Sequence, residues 1–226
     1  VFDADKLQQY YDEQIKPNLK LEREDKKVVV NNAGEVLSTE TEGHDGIVIA
    51  DGADTEVGAR LAQVLATGTG SVNVDGKVDP KQEVKVTHRV AIDLSDRKLY
   101  AYENDTVVKT LNVVVAEGND NVTGECVGMM CTPTGDFNVW QKLPSQDMSG
   151  TLNLADGTVK TWDVKDVGFV NYFSSGCAIH RIAGGYVADA VMPSIANGSH
   201  GCVGIGWDVA EWFYNWCNMG TSVHIQ

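Results

Sequence analysis

Apolar positions recur with two different periods along this chain, and the period changes near residue 86. Before that point helical spacing appears twice. Leu7, Tyr10, Tyr11 and Ile15 fall on one face of a helix over residues 3–16, which Pro17 ends. Val57, Leu61, Val64 and Leu65 do the same over residues 55–67, with Gly68 as the stop. The short apolar runs Val28-Val29-Val30, Gly46-Ile47-Val48-Ile49 and Ser71-Val72-Asn73-Val74 read as strands. Asn31-Asn32-Ala33-Gly34 and Asp75-Gly76 read as turns. Residues 1–86 are therefore expected to form a small α/β domain.

From Val86 onward short β-rich runs alternate with turns, and residues 87–226 are expected to form a second domain. Val84 to Val90 is read as the linker and domain entry. Val90-Ala91-Ile92-Asp93-Leu94, the polar turn Ser95-Asp96-Arg97-Lys98 and Leu99-Tyr100-Ala101-Tyr102 predict a hairpin. A further strand is predicted from Val107 to Ala116. Such spacing of short strands predicts a mainly β fold, sandwich-like or barrel-like. One helix interrupts it. Asp208 and Glu211 have the spacing of a capping box, and Val209, Trp212, Phe213 and Trp216 make the apolar stripe that follows. Gly220 is read as the stop of this helix, and Ser222-Val223-His224-Ile225 predicts a closing strand.

Composition narrows the partners. A chain of 226 residues with 42% hydrophobic content can bury one large core or two modest ones. The formal charge of −14 argues against a nucleic-acid partner and against anionic membrane surfaces, since both need a basic face. No run reaches the roughly eighteen apolar residues of a membrane span, so no transmembrane segment is expected in this chain. The first residue is Val1 and not methionine, so an export signal or membrane anchor is expected upstream.

Five cysteines are present, at 126, 131, 177, 202 and 217. An odd count allows two disulfides and one free thiol. If Cys202 is the free one, the other four allow three pairings. Cys126–Cys131 is favoured by proximity, which leaves Cys177–Cys217. Disulfides would place the protein in an oxidising, extracytoplasmic compartment. The bland alternative is five reduced cysteines. His44, in an acidic glycine-containing loop, is read as a solvated loop residue, and His224 as a strand-surface residue.

The chemistry concentrates in Ser199-His200-Gly201-Cys202, with His180 upstream. A thiolate nucleophile needs a base to ionise it and nearby backbone N–H groups for the developing oxyanion. Cys202, the two histidines and Gly201 supply those types. Two other readings compete. Free cysteine is among the most buried residue types, so a structural thiol is the default. Cys177, His180, His200 and Cys202 also offer four zinc ligands, although His-x-Cys is not a usual half-site and no metal is expected. Gly201, Gly204 and Gly206 match neither a dinucleotide fingerprint nor a P-loop, and no cofactor is expected.

Residues 87–226 resemble the catalytic domain of the L,D-transpeptidases, the YkuD family. The resemblance rests on His180 followed by Ser199-His200-Gly201-Cys202-Val203, on Thr132-Pro133-Thr134-Gly135-Asp136-Phe137, on Ile92-Asp93-Leu94 with Lys98-Leu99-Tyr100, and on Trp212-Phe213-Tyr214. Two departures stand out. Eighteen residues separate His180 from Ser199, slightly more than is usual, and Gly204 stands where the family usually has Asn or Arg. Residues 1–86 resemble, by position and composition, the small peptidoglycan-associated module that precedes this domain in some Gram-positive members.

The resemblance implies a cysteine transpeptidase that acts outside the membrane, in the cell wall or anchored at the cell surface. It implies tetrapeptide peptidoglycan stems as donors, a thioester on Cys202, release of D-Ala and a 3→3 cross-link. It implies His180 as the general base, in preference to His200, and carbapenem β-lactams as acylating inhibitors. Ser199 is expected to orient a histidine or the loop, and backbone N–H groups around Gly201 and Cys202 to bind the oxyanion. Tyr172 and Arg181 are candidate donor-site residues. The rivals are an L,D-carboxypeptidase, in which water replaces the acceptor amine, and a catalytically silent peptidoglycan-binding module.

Overall fold

The computed structural model describes residues 2–117, 130–153, 156–196 and 198–226. The chain divides into two compact units, Val1–Val28 with Thr39–Lys85, and Val29–Ser38 with Val86–Gln226.

In the first unit, α1 (Ala4–Tyr10) continues into one π-helical turn, Tyr11–Ile15, and packs against α2 (Val57–Thr67). Asp3 caps α1 by accepting from the Asp5 and Lys6 N–H groups. Both helices lie where the 3.6-residue period predicts them. Strand β1 (Lys26–Val30) and β2 (Val36–Thr41) flank the predicted turn, where Asn31 Oδ1 accepts from the N–H groups of Ala33 and Glu35. Strand β3 (Gly46–Ile49) pairs antiparallel with β4 (Gly76–Asp79). The strand expected at 71–74 is not formed there; the strand that pairs with β3 begins at Gly76, opposite Ile49 and inside the expected Asp75-Gly76 turn. His44 is exposed, as expected of a loop residue.

The second unit is built on one sheet of eleven strands, in the order β2-β1-β5-β6-β7-β12-β11-β10-β9, with β13 and β8 branching from β5. Its remaining strands are β5 (Glu83–Asp93), β6 (Lys98–Glu103), β7 (Thr106–Val114), β8 (Gly135–Asn138), β9 (Gln141–Asn153), β10 (Val159–Tyr172), β11 (Ala178–Arg181), β12 (Val203–Ile205) and β13 (Ser222–Ile225). The mainly β expectation holds. The expected domain entry at 84–90 contains the Lys85/Val86 boundary between the units, but those residues are strand and not linker, inside the eleven-residue β5. The hairpin β5–β6 forms around the predicted turn, where Asp93 Oδ1 accepts from the Ser95 and Asp96 N–H groups.

Helix α3 (Trp207–Trp216) starts one residue before the expected N-cap. Asp208 is inside the helix, and its Oδ1 accepts from the Asp189 N–H at 2.7 Å, so it ties a loop to the helix and makes no capping box. The apolar stripe of α3 behaves as expected. Val209, Ala210 and Phe213 are buried in the main core with Ile92, Leu99, Ile179, Val203 and Ile205. Thr132-Pro133-Thr134-Gly135 leads into β8, with Thr132 Oγ1 accepting from the Ala116 N–H at 3.0 Å. His224, on β13, is exposed with Nδ1 2.7 Å from Asp136 Oδ1.

The cysteines split differently from the expected pattern. Cys131 is disulfide-bonded, and its expected partner, Cys126, lies outside the described residues. Cys177 and Cys217 are free thiols, so the second expected disulfide is absent. Both are buried in the main core as small apolar groups. Burial pushes the Cys177 thiol up to about 11 and the Cys217 thiol up to about 12.

Candidate active site

The site starts from a parallel strand pair. In β11 and β12, Ile179 lies opposite Val203, His180 opposite Gly204 and Arg181 opposite Ile205. Side chains alternate between faces along each strand, so the pair has two sides. Ile179, Val203 and Ile205 occupy the core side. Ala178 and His180 share the other side, and Cys202, just before β12, reaches it with Sγ 3.4 Å from the Ala178 nitrogen. The register therefore puts His180 and Cys202 on one face. Both line a cavity of about 730 Å³, which is walled on its far side by β9 and β10.

The thiol packs with Val167, Val170 and Ala178. Burial pushes its pKa up, and the Ala178 N–H pulls it part of the way back. His180 keeps part of its surface open to the cleft, and its Nδ1 sits 2.7 Å from the Arg181 carbonyl oxygen. A carbonyl only accepts, so Nδ1 carries the proton and Nε2 keeps the lone pair. Desolvation lowers the His180 pKa, and the bond to the Arg181 carbonyl opposes that shift. Thiol and imidazole are both held neutral at rest. That arrangement suits proton transfer during attack, with no standing thiolate.

The loop before Cys202 is fixed by Ser199. Its hydroxyl donates to the Cys202 carbonyl at 2.6 Å and accepts from the Gly201 N–H at 3.2 Å. Ser199 thus orients the loop, and no hydrogen bond ties it to a histidine. Gly201 has φ +134°, a conformation that side chains other than glycine's strongly disfavour. Its N–H, an expected oxyanion donor, points into this turn and donates to Ser199 Oγ.

His200 lies in the same loop and not on a strand, since β12 begins only at Val203. Strand alternation therefore does not place it beside Cys202. Its ring stacks on Trp162 instead, with centroids 4.3 Å apart and planes 12° from parallel. Burial, and then the charge of Lys160, lower its pKa. Tyr172 lines the cavity and donates to Gln146 Oε1 at 2.8 Å. Arg181 is on the opposite side of β11 from His180. Its guanidinium lies 3.9 Å from the Trp207 ring and donates to the Asp166 carbonyl at 3.0 Å, so it is not brought to the cleft. Gly204 lines the cavity, and a Cβ there would meet Ile182 and Val114 at ordinary contact distances of 3.6 and 3.7 Å. Packing does not require glycine at that position.

No three of Cys177, His180, His200 and Cys202 bring ligand atoms within 4.8 Å of one another, so these four do not make a zinc site as they stand. Of the far wall, sequence reasoning named only Tyr172, at the end of β10. Gln146, Met148, Trp162 and Val164 all line the cavity from β9 and β10. The available signal was weak alternation, interrupted by Pro144 and Gly150, both of which argue against a strand.

A family model for YkuD, the L,D-transpeptidase catalytic domain, matches residues 87–225. No curated protein matches the chain. Among solved structures it is similar to an L,D-transpeptidase from Mycobacterium smegmatis, at 20% identity over 68% of this chain and 64% of that one, with a TM-score of 0.44. The matched region thus spans just under two thirds of that protein's length. It is also similar to the catalytic domain of an E. faecium L,D-transpeptidase, at 22% identity over 62% of this chain and 96% of that one, TM-score 0.44. A C442S mutant of the Enterococcus faecium L,D-transpeptidase matches at 19% identity over 99% of this chain and 82% of that one, TM-score 0.43.

Proposed function

The chain belongs to the YkuD family of L,D-transpeptidase catalytic domains, and from that premise we propose that it is a cysteine L,D-transpeptidase that joins peptidoglycan stems by 3→3 cross-links. The observation that carries the reading is the shared face of Cys202 and His180, with the Ala178 N–H directed at the sulfur and Nε2 of His180 left as an acceptor.

In this reading Cys202 Sγ attacks the carbonyl of the third stem residue while His180 Nε2 takes the thiol proton. The tetrahedral oxyanion is met by backbone N–H groups at the cysteine. One such donor is worth on the order of 3 kcal/mol in the barrier. The C–N bond to the terminal D-Ala breaks, and D-Ala leaves with the proton from His180. A thioester remains. The side-chain amine of a second stem attacks it, His180 accepts the amine's proton, the C–S bond breaks and the thiol is restored. The thioester conserves the energy of the lost amide until the acceptor arrives.

The substrate places this activity outside the membrane, at the cell wall, and the bonded state of Cys131 supports an oxidising compartment. The described residues contain no helix long and apolar enough to cross a membrane. The same thiol is expected to be acylated by carbapenems.

The deciding experiment is mass analysis of products after incubation with a disaccharide-tetrapeptide. A cross-linked dimer that has lost one D-Ala supports the reading. Tripeptide alone makes the protein an L,D-carboxypeptidase. Unchanged substrate, an unreactive thiol and retained wall binding together favour the binding-module alternative.

A further inference from the structure

The hairpin β9–β10 approaches the cysteine loop through two successive cross-strand pairs. Met148 faces Val164, and both pack on the apolar cluster that includes Cys202. Two residues further toward the tip, Gly150 faces Trp162. The indole lies flat over Gly150. A Cβ there would sit 2.1 Å from Trp162 Cζ2, so only glycine leaves room for the ring. The indole also stacks on the His200 imidazole, with ring centroids 4.3 Å apart. The ring is therefore held between the hairpin's own backbone and the loop that carries the nucleophile. Nearer its base the hairpin has an irregular register between Val164 and Val167, and such bulges re-aim a strand.

We propose that Trp162 is a positioning residue that fastens this wall of the cleft over Cys202 and thereby sets how the acyl-enzyme divides between amine and water. The inference rests on the transpeptidase reading above. Attack by an amine forms a C–N bond, breaks C–S and returns the thiol with the amine's proton. Attack by water forms a C–O bond, breaks the same C–S bond and yields the carboxylic acid. The two outcomes differ only in which nucleophile reaches the thioester. Met148 and Val164, packed on the same apolar cluster as the thiol and fastened through the Trp162–His200 stack, lower the water available there, whereas a bound acceptor stem brings its own amine. His200 then serves as the docking partner of Trp162, which accounts for its stacked geometry.

The test measures the ratio of cross-linked dimer to tripeptide from the disaccharide-tetrapeptide, with carbapenem acylation of Cys202 followed in parallel by intact mass. Trp162→Ala is expected to lower the ratio about two- to tenfold, the range set by losing one stacked aromatic pair, with Cys202 still acylated. Trp162→Phe should restore most of it. Gly150→Ala should reproduce the fall with Trp162 intact, because the new Cβ displaces the indole. A wild-type ratio in both Trp162→Ala and Gly150→Ala overturns the inference, and so does a loss of total turnover at constant ratio. If the wild type forms neither product, the transpeptidase reading itself fails, and that is seen before any variant is compared.

Discussion

The two walls of the cleft are built in opposite ways. The β11–β12 wall consists of two short parallel strands inside the sheet. Its core side is fully buried through Ile179, Val203 and Ile205, and its cleft side carries the thiol and His180. The β9–β10 wall is a hairpin of 13- and 14-residue strands, buried at its base where β10 pairs with β11 and alternating between half-buried and exposed positions toward its tip. Groups whose geometry must be held to a fraction of an ångström sit on the buried pair, where packing leaves no alternative. Groups that shape access sit on the hairpin, where Gly150, Trp162 and Met148 can change without emptying the core. In the proposed reading, the reacting groups sit on the buried strand pair and the groups that shape access sit on the hairpin.

That contrast is sharpest at the nucleophile. Cys202→Ala is expected to reduce transfer by about 10⁴-fold or more while thermal unfolding stays close to wild type. Residual activity within tenfold of wild type would remove Cys202 from its role. Next come the two histidines. His180→Gln should lose about 10²- to 10⁴-fold, the usual worth of a positioned base, whereas His200→Phe keeps the ring stack and should lose less than about tenfold. The opposite order, read from single-turnover acylation, would move the base to the loop and collapse the distinction between the walls.

The pH profile of the thiol separates the two resting states. Burial raises the Cys202 pKa and lowers that of His180. Alkylation by iodoacetamide should therefore keep rising through pH 9, with no plateau between pH 5 and 7. A plateau there would mean a standing thiolate–imidazolium pair. Linkage gives a related effect on stability. Cys217, at about 12, and Cys177, at about 11, are both raised from 9.0, so the folded state holds their protons longer than the unfolded chain does. The stability tied to these thiols is full below pH 9 and is lost as pH rises toward those values. Cys217→Ala should flatten this alkaline loss, and denaturant midpoints at pH 8 and 10 would show it.

Smaller effects test the hairpin's anchorage. Lys142, at its base, donates to the Tyr214 and Cys217 carbonyls at the C-terminal end of α3. Lys142→Met leaves those carbonyls unmatched and is expected to cost about 1–3 kcal/mol in chemical denaturation. Lys165 pairs with Asp147 and Asp163 on the hairpin's exposed surface. Lys165→Ala should leave the melting temperature unchanged, since exposed ion pairs contribute little. A large shift there would show that surface charge, not the base and the Trp162 contact, holds the hairpin in place.

The sequence made much of this legible where the pattern was local and strong. The helical periods at Leu7–Ile15 and Val57–Leu65, the polar turn at 95–98 and the stripe of α3 all appear in the structure. Legibility ended where partners came from far away. Asp208 looked like an N-cap, and the Asp189 N–H claimed its carboxylate. Residues 84–90 looked like a linker and lie inside a strand, which β6 pairs from next along the chain and β13 from its far end. Cys177 and Cys217 looked like a remaining pair and were packed separately as thiols. The hairpin β9–β10 gave only weak alternation, since Pro144, Gly150 and many polar residues interrupt its strands.

By itself the sequence determined the mainly β character of the second half, the candidate site at Ser199–Cys202 and the pair of histidines to weigh against each other. Residue types and spacing are local properties, and local chemistry reads them. Which histidine faces the thiol was decided only by the tertiary structure. The parallel register of β11 and β12 brings His180 to the face of Cys202 across twenty-one intervening residues, while Trp162 draws His200 onto the opposite wall. Strand register and cross-wall stacking depend on contacts between distant segments, and no short window of the chain contains both partners.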